Sequence, residues 1–439
     1  MQWLDRLTFI FLCALIFVLP ASTAGVAIFT VPAIALFLLR KSWGVLSRRP
    51  GSEAQPRVPA ATLPLTIIVP VGLYLLVALL SVFLSCDTQL SFRAFLGKIL
   101  QSVLLFFVLI GTLSTRRRIY IFLMWFLASA VILSLDGFWQ IFAGWDIFKH
   151  NTLVQERVCA SMRHPNDLGA YLIIVLPLML MIAVQSWNRW RTKQDLLNGL
   201  AVVGSLACSG AAFTILALTY SRSAWLGFLV GIGLWALVRR SYKIFIFFVF
   251  VIIFVLTPLA VSKRDLPQSD LPFLRGGTAQ EVTVSSADKG ICGRFLNSLD
   301  RGLNSSDRLH YWEAAVRIIK DHPLTGIGLN TYTKVIREYA PRYPNYAHNC
   351  YLQVAAELGL PGLAVMLWAL LAPLVFALRR FRTLTDPRWS DILGAVSAGY
   401  IALLAESALD TTFYSVQLFA LLWVMMALLV AIPRASEAG

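Results

Sequence analysis

Long runs of apolar residues, separated by short polar segments, extend over most of the chain. Residues 63–84, 95–113 and 244–261 are the clearest runs, and each approaches the ~20 residues that a helix needs to cross the ~30 Å hydrocarbon core of a bilayer. Only helices satisfy their own backbone in lipid without closing a barrel. The pattern predicts twelve spans, at residues 7–19, 25–39, 63–84, 95–113, 119–142, 168–184, 196–218, 224–238, 244–261, 351–378, 392–404 and 413–432.

The composition supports a membrane protein and excludes an ordinary soluble domain. Of the 439 residues, 58% are hydrophobic and only 14% are charged, whereas soluble domains are roughly half apolar and about a quarter charged. The predicted fold class is therefore all-α: a polytopic membrane protein of about twelve transmembrane helices, with one large and partly helical loop.

The distribution of lysine and arginine predicts the orientation in the membrane. With the N-terminus inside, cytoplasmic segments hold 20 basic residues and the short outer loops hold six, as the positive-inside rule requires. Both termini are then cytoplasmic. Residues 1–262 form spans one to nine, residues 263–348 form a loop domain on the periplasmic side, and residues 349–439 form spans ten to twelve.

The net charge of +15 does not indicate a nucleic-acid partner, because basic clusters facing anionic membrane lipids explain most of it. The start of the chain also has features of a signal peptide: Arg6, an apolar run and the small residues 21–24. Cleavage there would remove one span without inverting the others. Cys86, Cys159, Cys292 and Cys350 lie near the outer face, where thiols can oxidise, but their spacing indicates neither a pairing nor a metal site.

The outer loop divides into an irregular part and a helical part. Residues 266–286 are rich in Pro, Gly and Ser and have no periodicity. Residues 305–307 offer helix caps, and the helix that follows should end before Pro323. A second helix is predicted at residues 331–339. The first helix is expected to pack through one apolar stripe, made of Leu309, Trp312, Ala315, Val316 and Ile319.

Two arginines interrupt outer boundaries of the predicted spans. Arg222 lies within Tyr220-Ser221-Arg222-Ser223, between two apolar runs with almost no loop between them. Arg163 lies just before the sixth span, which Asn166 or Asp167 could cap. An arginine at this depth either extends to lipid phosphate or faces a cavity or an anion.

The segment AHNCYLQVAAELGLPG places His348 and Asn349 at the mouth of a span, ahead of Gly359 and Gly362. A free imidazole is largely neutral at pH 7 and can accept a proton, although a single interfacial histidine is more often a bystander. Pro361 should kink the helix and leave the carbonyl of residue 357 without its helical partner.

Three acidic residues fall in or near the last spans. Glu357 is an intramembrane acid with either a functional or a structural role. Glu406 and Asp410 are four residues apart, a spacing that places both on one face of a helix end. They could act as acid and base, but orienting nearby arginines is the favoured interpretation.

Taken together, the pattern His348-Asn349, Gly359 and Gly362 resembles the signature of O-antigen ligases within the O-antigen ligase and polymerase superfamily. The outer loop adds Asp307-Arg308, Tyr311-Trp312 and residues 322–328, and the resemblance extends over most of the chain. It implies a glycosyltransferase of the GT-C class in the bacterial inner membrane. Such enzymes move a finished polysaccharide from undecaprenyl diphosphate onto lipid A-core with inversion and without a metal.

The residues fit that chemistry. Outside the cytoplasm the donor must arrive activated, and a diphosphate leaving group needs charge stabilisation, which arginines give through bidentate contacts. The hypothesis is that His348 deprotonates the acceptor hydroxyl while Arg163, Arg222 and Arg308 hold the diphosphate. Asn349, Glu406 and Asp410 would support the site. No cofactor is expected, because the sequence has no obvious cluster of metal ligands.

Three other functions stay open. An O-antigen polymerase would use the same donor with a second lipid-linked glycan as acceptor. A protein O-oligosaccharyltransferase would transfer to a pilin serine. A secondary transporter could also have twelve spans, but it should show internal repeats and polar breaks near mid-span. One large loop between spans nine and ten argues against two matched halves.

Overall fold

The structure is a computed structural model that describes residues 2–46, 63–239, 306–341 and 345–437. These residues are helical except for turns and loops, and their β-type contacts are two isolated bridges, Trp145 with Thr152 and Val154 with Arg157. The predicted all-α fold is confirmed for this part of the chain. The predicted span at residues 244–261, the irregular stretch at 266–286 and Cys292 lie outside the described residues.

The helices match the predicted spans in order and position, with ends that differ by a few residues. Between α4 and α5 the chain continues through a π-helical turn, Phe95–Leu100. The helices are α1 (Gln2–Val18), α2 (Thr23–Leu46), α3 (Leu65–Phe83), α4 (Thr88–Ala94), α5 (Gln101–Thr112), α6 (Arg116–Ala143), α7 (Pro165–Thr192), α8 (Leu196–Leu218), α9 (Arg222–Arg239), α10 (Ser306–Asp321), α11 (Tyr332–Tyr339), α12 (Cys350–Phe381), α13 (Pro387–Glu406) and α14 (Val416–Glu437).

Within the described ranges, eight helices are long and apolar enough to cross a membrane, which confirms a polytopic membrane protein. Helices α1, α9 and α13 lie where three further spans are predicted but are not among these eight, so the count of twelve stays a prediction. The eight are Thr23–Trp43, Leu65–Phe83, Thr88–Thr112, Arg116–Ala143, Pro165–Thr192, Leu196–Leu218, Cys350–Phe381 and Val416–Glu437.

Helix α14 lies inside the bundle rather than at its surface. Almost every residue from Gln417 to Ile432 is buried, and the helix packs against α5, α12 and α13. The Trp423 ring lies 5.8 Å from Phe106 and 6.3 Å from Phe419, measured between ring centroids. Burial on all sides explains why this span is apolar around its whole circumference.

Small residues bring α9 and α13 into close antiparallel contact. A Cβ added to Gly227 would lie 2.6 Å from the carbonyl oxygen of Ala402, and one on Gly231 would lie 2.4 Å from that of Ala398. Glycine therefore lets the two backbones approach, as in many membrane helix pairs. The start of α9, which carries Arg222, is held beside the end of α13.

The predicted apolar stripe on α10 is correct in part: Ala315 is fully buried and Ile319 packs against the same core, but Leu309 and Val316 do not belong to the buried face. Leu309 and Val316 are 53% and 38% exposed, whereas Ala314 and Ile318 are fully buried. The helix packs on α12 through small residues, and its buried face joins a small core formed with residues of α11 and the start of α12. The two predicted helices themselves are confirmed, and α10 ends before Pro323 as expected.

Helix α12 is kinked where Pro361 predicts a break. Gly359 has φ 73° and ψ 174°, which is not helical. The carbonyl oxygen of Glu357, released from the helix ladder, accepts a hydrogen bond from the Gly328 N–H at 3.0 Å. The partner that the helix lacks is thus supplied by the segment that connects α10 to α11.

Candidate active site

His348 lies directly before the N-cap of α12 in a strained backbone conformation. Its φ is 47°, in the left-handed region that non-glycine residues rarely adopt and that is common at functional sites. Asn349 follows as the N-cap, and its side chain accepts from the N–H groups of Tyr351 and Leu352, both at 3.0 Å. The structural role of Asn349 is therefore to start the helix directly after His348.

The imidazole of His348 faces the carboxylate of Asp410. Nδ1 of His348 is 3.3 Å from Oδ1 of Asp410, and the two side chains are 25% and 6% exposed. Burial alone would raise the pKa of Asp410, but the hydrogen bond and charge of His348, the Thr411 N–H and Arg308 lower it from its ordinary value. Asp410 is thus ionised at neutral pH. An ionised carboxylate keeps the proton on Nδ1, which leaves Nε2 as the proton acceptor.

The start of α12 holds the turn that carries Asp410. The Cys350 N–H donates to the carbonyl of Ser407 at 2.8 Å, and the Cys350 thiol donates to the carbonyl of Asp410 at 3.1 Å. The same sulfur accepts from the Phe413 N–H at 3.3 Å. Because the residue two positions after His348 makes these contacts, the imidazole and the carboxylate are fixed to one framework.

A chain of hydrogen bonds continues from Asp410 to the loop between α6 and α7. The Asn166 amide donates to Oδ2 of Asp410 at 2.5 Å, and its oxygen accepts from the Arg157 guanidinium. Arg157 also donates through Nε to the carbonyl of Thr219 at 2.7 Å. The order Arg157, Asn166, Asp410, His348 joins four separate parts of the sequence at one end of the bundle.

Arg222 and Arg308 lie in the same neighbourhood. Arg222 begins α9 and Arg308 is in the first turn of α10, and both are partly exposed. Burial lowers the pKa of Arg157 from its ordinary value, and the charges of Arg222 and Arg308 lower it further, while Asp410 opposes them. Three cations that repel one another beside one carboxylate favour the binding of a further anion.

Tyr311 brings helix α10 directly to His348. Its ring centroid lies 5.7 Å from that of the imidazole, at an interplanar angle of 39°. Arg308 precedes Tyr311 by one helical turn, so the same helix presents an aromatic ring and a guanidinium at the site.

Comparison with known proteins gives one family match. Residues 207–367 match the family model described as O-antigen ligase. The match covers less than half of the chain and supports an O-antigen ligase-type superfamily member. No curated protein matches the chain.

The matched segment contains Arg222, Arg308, His348 and the kink at Gly359. Asp410, Asn166 and Arg157 lie outside it, although they are hydrogen-bonded to one another in the structure and Asp410 to His348.

Two predicted features of this site are wrong. The N-cap of α7 is His164, whose Nδ1 accepts from the Asn166 N–H at 3.3 Å, and neither Asn166 nor Asp167 has that role. Proline at the first helical position moves the cap one residue earlier. Glu406 and Asp410 do not share a helical face, because α13 ends at Glu406 and its end turns to meet the start of α12.

The remaining predicted residues occupy different environments. Glu406 is fully buried, and its carboxylate lies next to the hydroxyl groups of Thr412 and Ser223 rather than next to His348. Arg163 is exposed next to His164 and belongs to none of the hydrogen bonds that link Arg157 to His348. The structure thus brings Arg222, Arg308, His348 and Asp410 together and leaves Arg163 at the edge.

Proposed function

We propose that this enzyme is an O-antigen ligase, which transfers polysaccharide from undecaprenyl diphosphate to a sugar hydroxyl of lipid A-core in lipopolysaccharide synthesis. The observation that carries the proposal is the His348–Asp410 pair beside Arg222 and Arg308. A base held by a carboxylate next to cations suits a reaction in which a hydroxyl attacks and a diphosphate departs. The family match supports the same class of reaction.

In this mechanism Nε2 of His348 takes the proton of the acceptor hydroxyl as its oxygen attacks the anomeric carbon. The bond between that carbon and the diphosphate oxygen breaks on the opposite face, so the configuration inverts. Asp410 holds the imidazole through Nδ1 and stabilises the imidazolium that forms. The proton then leaves to water and restores the base.

The arginines stabilise the departing undecaprenyl diphosphate. Charge accumulates on the diphosphate oxygens as the bond breaks, and a guanidinium can contact two such oxygens at once. Arg222 and Arg308 are the proposed contacts, because both are partly exposed and close to the His348–Asp410 pair. Arg163, at the edge of the site, would meet the donor farther from the reacting carbon.

The proposed enzyme is a GT-C glycosyltransferase of the bacterial inner membrane with both termini cytoplasmic. The excess of basic residues at the opposite end of the bundle supports this orientation; Arg40 and Arg118, for example, both pair with Asp5 there. The site then faces the periplasm, and both lipid substrates approach sideways from the outer leaflet.

The test is transfer by the purified full-length enzyme, given undecaprenyl-diphosphate-linked glycan as donor and two acceptors in parallel. One acceptor is rough lipopolysaccharide, which ends at lipid A-core, and the other is a second lipid-linked glycan. We expect the glycan on lipid A-core. Extension of the lipid-linked glycan would instead indicate a polymerase, transfer to an added pilin serine would indicate a protein O-oligosaccharyltransferase, and movement of substrate without a new bond would indicate a transporter.

Transfer should not depend on a metal, since arginines supply the positive charge. Within the described ranges no three His, Cys, Asp or Glu residues are grouped as a metal site. We expect full activity in excess EDTA, measured in the same assay against an untreated sample. Loss of activity that Mg²⁺ or Mn²⁺ specifically restores would contradict the arginine account and point to Glu357, Glu406 or Asp410 as ligands.

A further inference from the structure

The structure assigns a positioning role to Glu357, a buried carboxylate outside the hydrogen-bonded chain of the proposed active site: it holds His348 in place through Gln353 and Ala347. Glu357 is 2% exposed and Gln353 is 1% exposed. Both lie in the first two turns of α12, between His348 and the kink. This inference rests on the proposed function, because it concerns the same histidine.

Two hydrogen bonds form a relay that ends next to His348. The Gln353 amide donates through Nε2 to Oε1 of Glu357 at 3.5 Å. Its oxygen accepts from the Ala347 N–H at 3.3 Å. Ala347 is fully buried and directly precedes His348, whose φ of 47° is unfavourable. A strained residue persists only when its surroundings hold it.

The same carboxylate also contacts the segment between α10 and α11. Oε2 of Glu357 accepts from the Asn330 N–H at 2.8 Å, and Asn330 has a positive φ of 61°. One carboxylate therefore supports two strained residues, Asn330 directly and His348 through Gln353. Since α10 carries Arg308 and Tyr311, the anchored segment also sets the position of the helix above the imidazole.

The backbone around this contact is packed without spare room. The Ile327 N–H donates to the carbonyl of Ala356 at 3.0 Å, and the Leu360 N–H donates to that of Pro323 at 2.8 Å. A Cβ on Gly326 would lie 2.3 Å from the Glu357 carbonyl oxygen. The segment between α10 and α11 thus packs into the kink of α12, and its position depends on that of Glu357.

Lys98 provides the countercharge. It lines one cavity together with Glu357, Asn330 and Tyr414, and its amino group lies 4.3 Å from the centroid of the Tyr414 ring. It projects from the π-helical turn Phe95–Leu100, a distortion that is frequent at functional sites. Charged residues inside a membrane bundle are costly unless they pair, and they usually have a role.

The donor-to-acceptor direction of the hydrogen bonds in the relay can be tested by exchanging its two side chains. The carboxylate of Glu357 accepts from Asn330, Gln353 and the Tyr414 hydroxyl, whereas an amide has a single acceptor oxygen. Within the relay, Glu357→Gln can therefore satisfy either Asn330 or Gln353, but not both. The swapped variant Gln353→Glu/Glu357→Gln restores the three hydrogen bonds of the relay, because the new amide accepts from Asn330 and donates to the new carboxylate, which also accepts from Ala347.

The experiment measures kcat, donor KM and hydrogen exchange for the two single variants, the swapped variant and a matched control. We expect each single variant to lower kcat by about 10- to 100-fold, as small misplacements of a catalytic group do. Donor KM should change less than kcat, since Arg222, on α9, still binds the diphosphate. The swapped variant should recover most of kcat.

Hydrogen exchange gives a readout that does not depend on the reaction. The amides of Ala347 and Asn330 should exchange faster in Glu357→Gln and return towards wild-type rates in the swapped variant. Asp5→Asn, which changes an ion-paired carboxylate of α1 at the other end of the bundle, should leave both rates unchanged.

Two results would overturn the role of Glu357: wild-type kcat in Glu357→Gln, or a swapped variant no better than the single ones. If the single variants fail to fold, a folded and active swapped variant still supports the relay, and its failure to fold counts against it. Absence of transfer to lipid A-core by the wild type would reject the proposed function instead, while the exchange rates would still decide the relay.

Discussion

His348→Ala should lower glycosyl transfer by about 10²- to 10⁴-fold, the usual contribution of a positioned general base. The reason is that no other described side chain is seen to offer a proton acceptor held by an ionised partner at this point of the site. Donor binding should persist, because Arg222 and Arg308 rather than the imidazole are proposed to hold the diphosphate. The measurement is kcat at saturating donor and acceptor, together with donor binding to the purified variant.

The matched control for this change is His310→Ala. His310 is on α10, where Nδ1 lies 3.8 Å from the Glu313 carboxylate and 54% of the side chain is exposed. We expect nearly unchanged transfer. A comparable loss in both variants would mean that the effect of His348→Ala comes from disturbing α10 or the fold rather than from removing the base.

The second large effect is expected from replacing arginine with lysine. Arg222→Lys and Arg308→Lys should each lower transfer by roughly 10²-fold, as removal of one charge-stabilising donor group typically does. Lysine keeps the charge but lacks the planar fork that contacts two diphosphate oxygens. Both kcat and donor affinity should fall, in contrast to His348→Ala.

Arg317→Lys is the control for this pair, because Arg317 is exposed and on the same helix as Arg308. It should transfer at the wild-type rate. Near-native activity in Arg222→Lys and Arg308→Lys would instead fit side chains that extend to lipid phosphate, since lysine does so equally well. Both arginines would then have structural roles only.

Several features of the fold and of the site could be predicted, because the residues that indicate them are close together in the sequence. Apolar runs predict the spans, and Pro361 predicts the kink in α12. His348 and Arg222 stand out because a polar residue beside a span carries a cost. The family signature falls inside the segment that matches the family model, residues 207–367.

Other features of the fold and the site depend on contacts between distant residues, which no periodic pattern in the sequence indicates. Asn166 bonds to Asp410 across 244 positions of the chain, and in the sequence nothing distinguishes Arg157 from other basic residues of the outer loops. The burial of Ala314 and Ile318 on α10 could not be predicted, because the partner surface on α12 selects alanines over some of the larger apolar side chains. Likewise, Pro361 predicts a free carbonyl at Glu357, but not that Gly328 supplies its partner.

His348 is proposed to act as a general base, and not merely to stabilise the start of α12. His348→Gln tests this claim most directly, because glutamine keeps a hydrogen-bonding side chain of similar reach but cannot take a proton at neutral pH. At saturating donor and acceptor, we expect His348→Gln to be nearly as inactive as His348→Ala. Substantial recovery of transfer in His348→Gln would contradict the mechanism and leave His348 a structural residue.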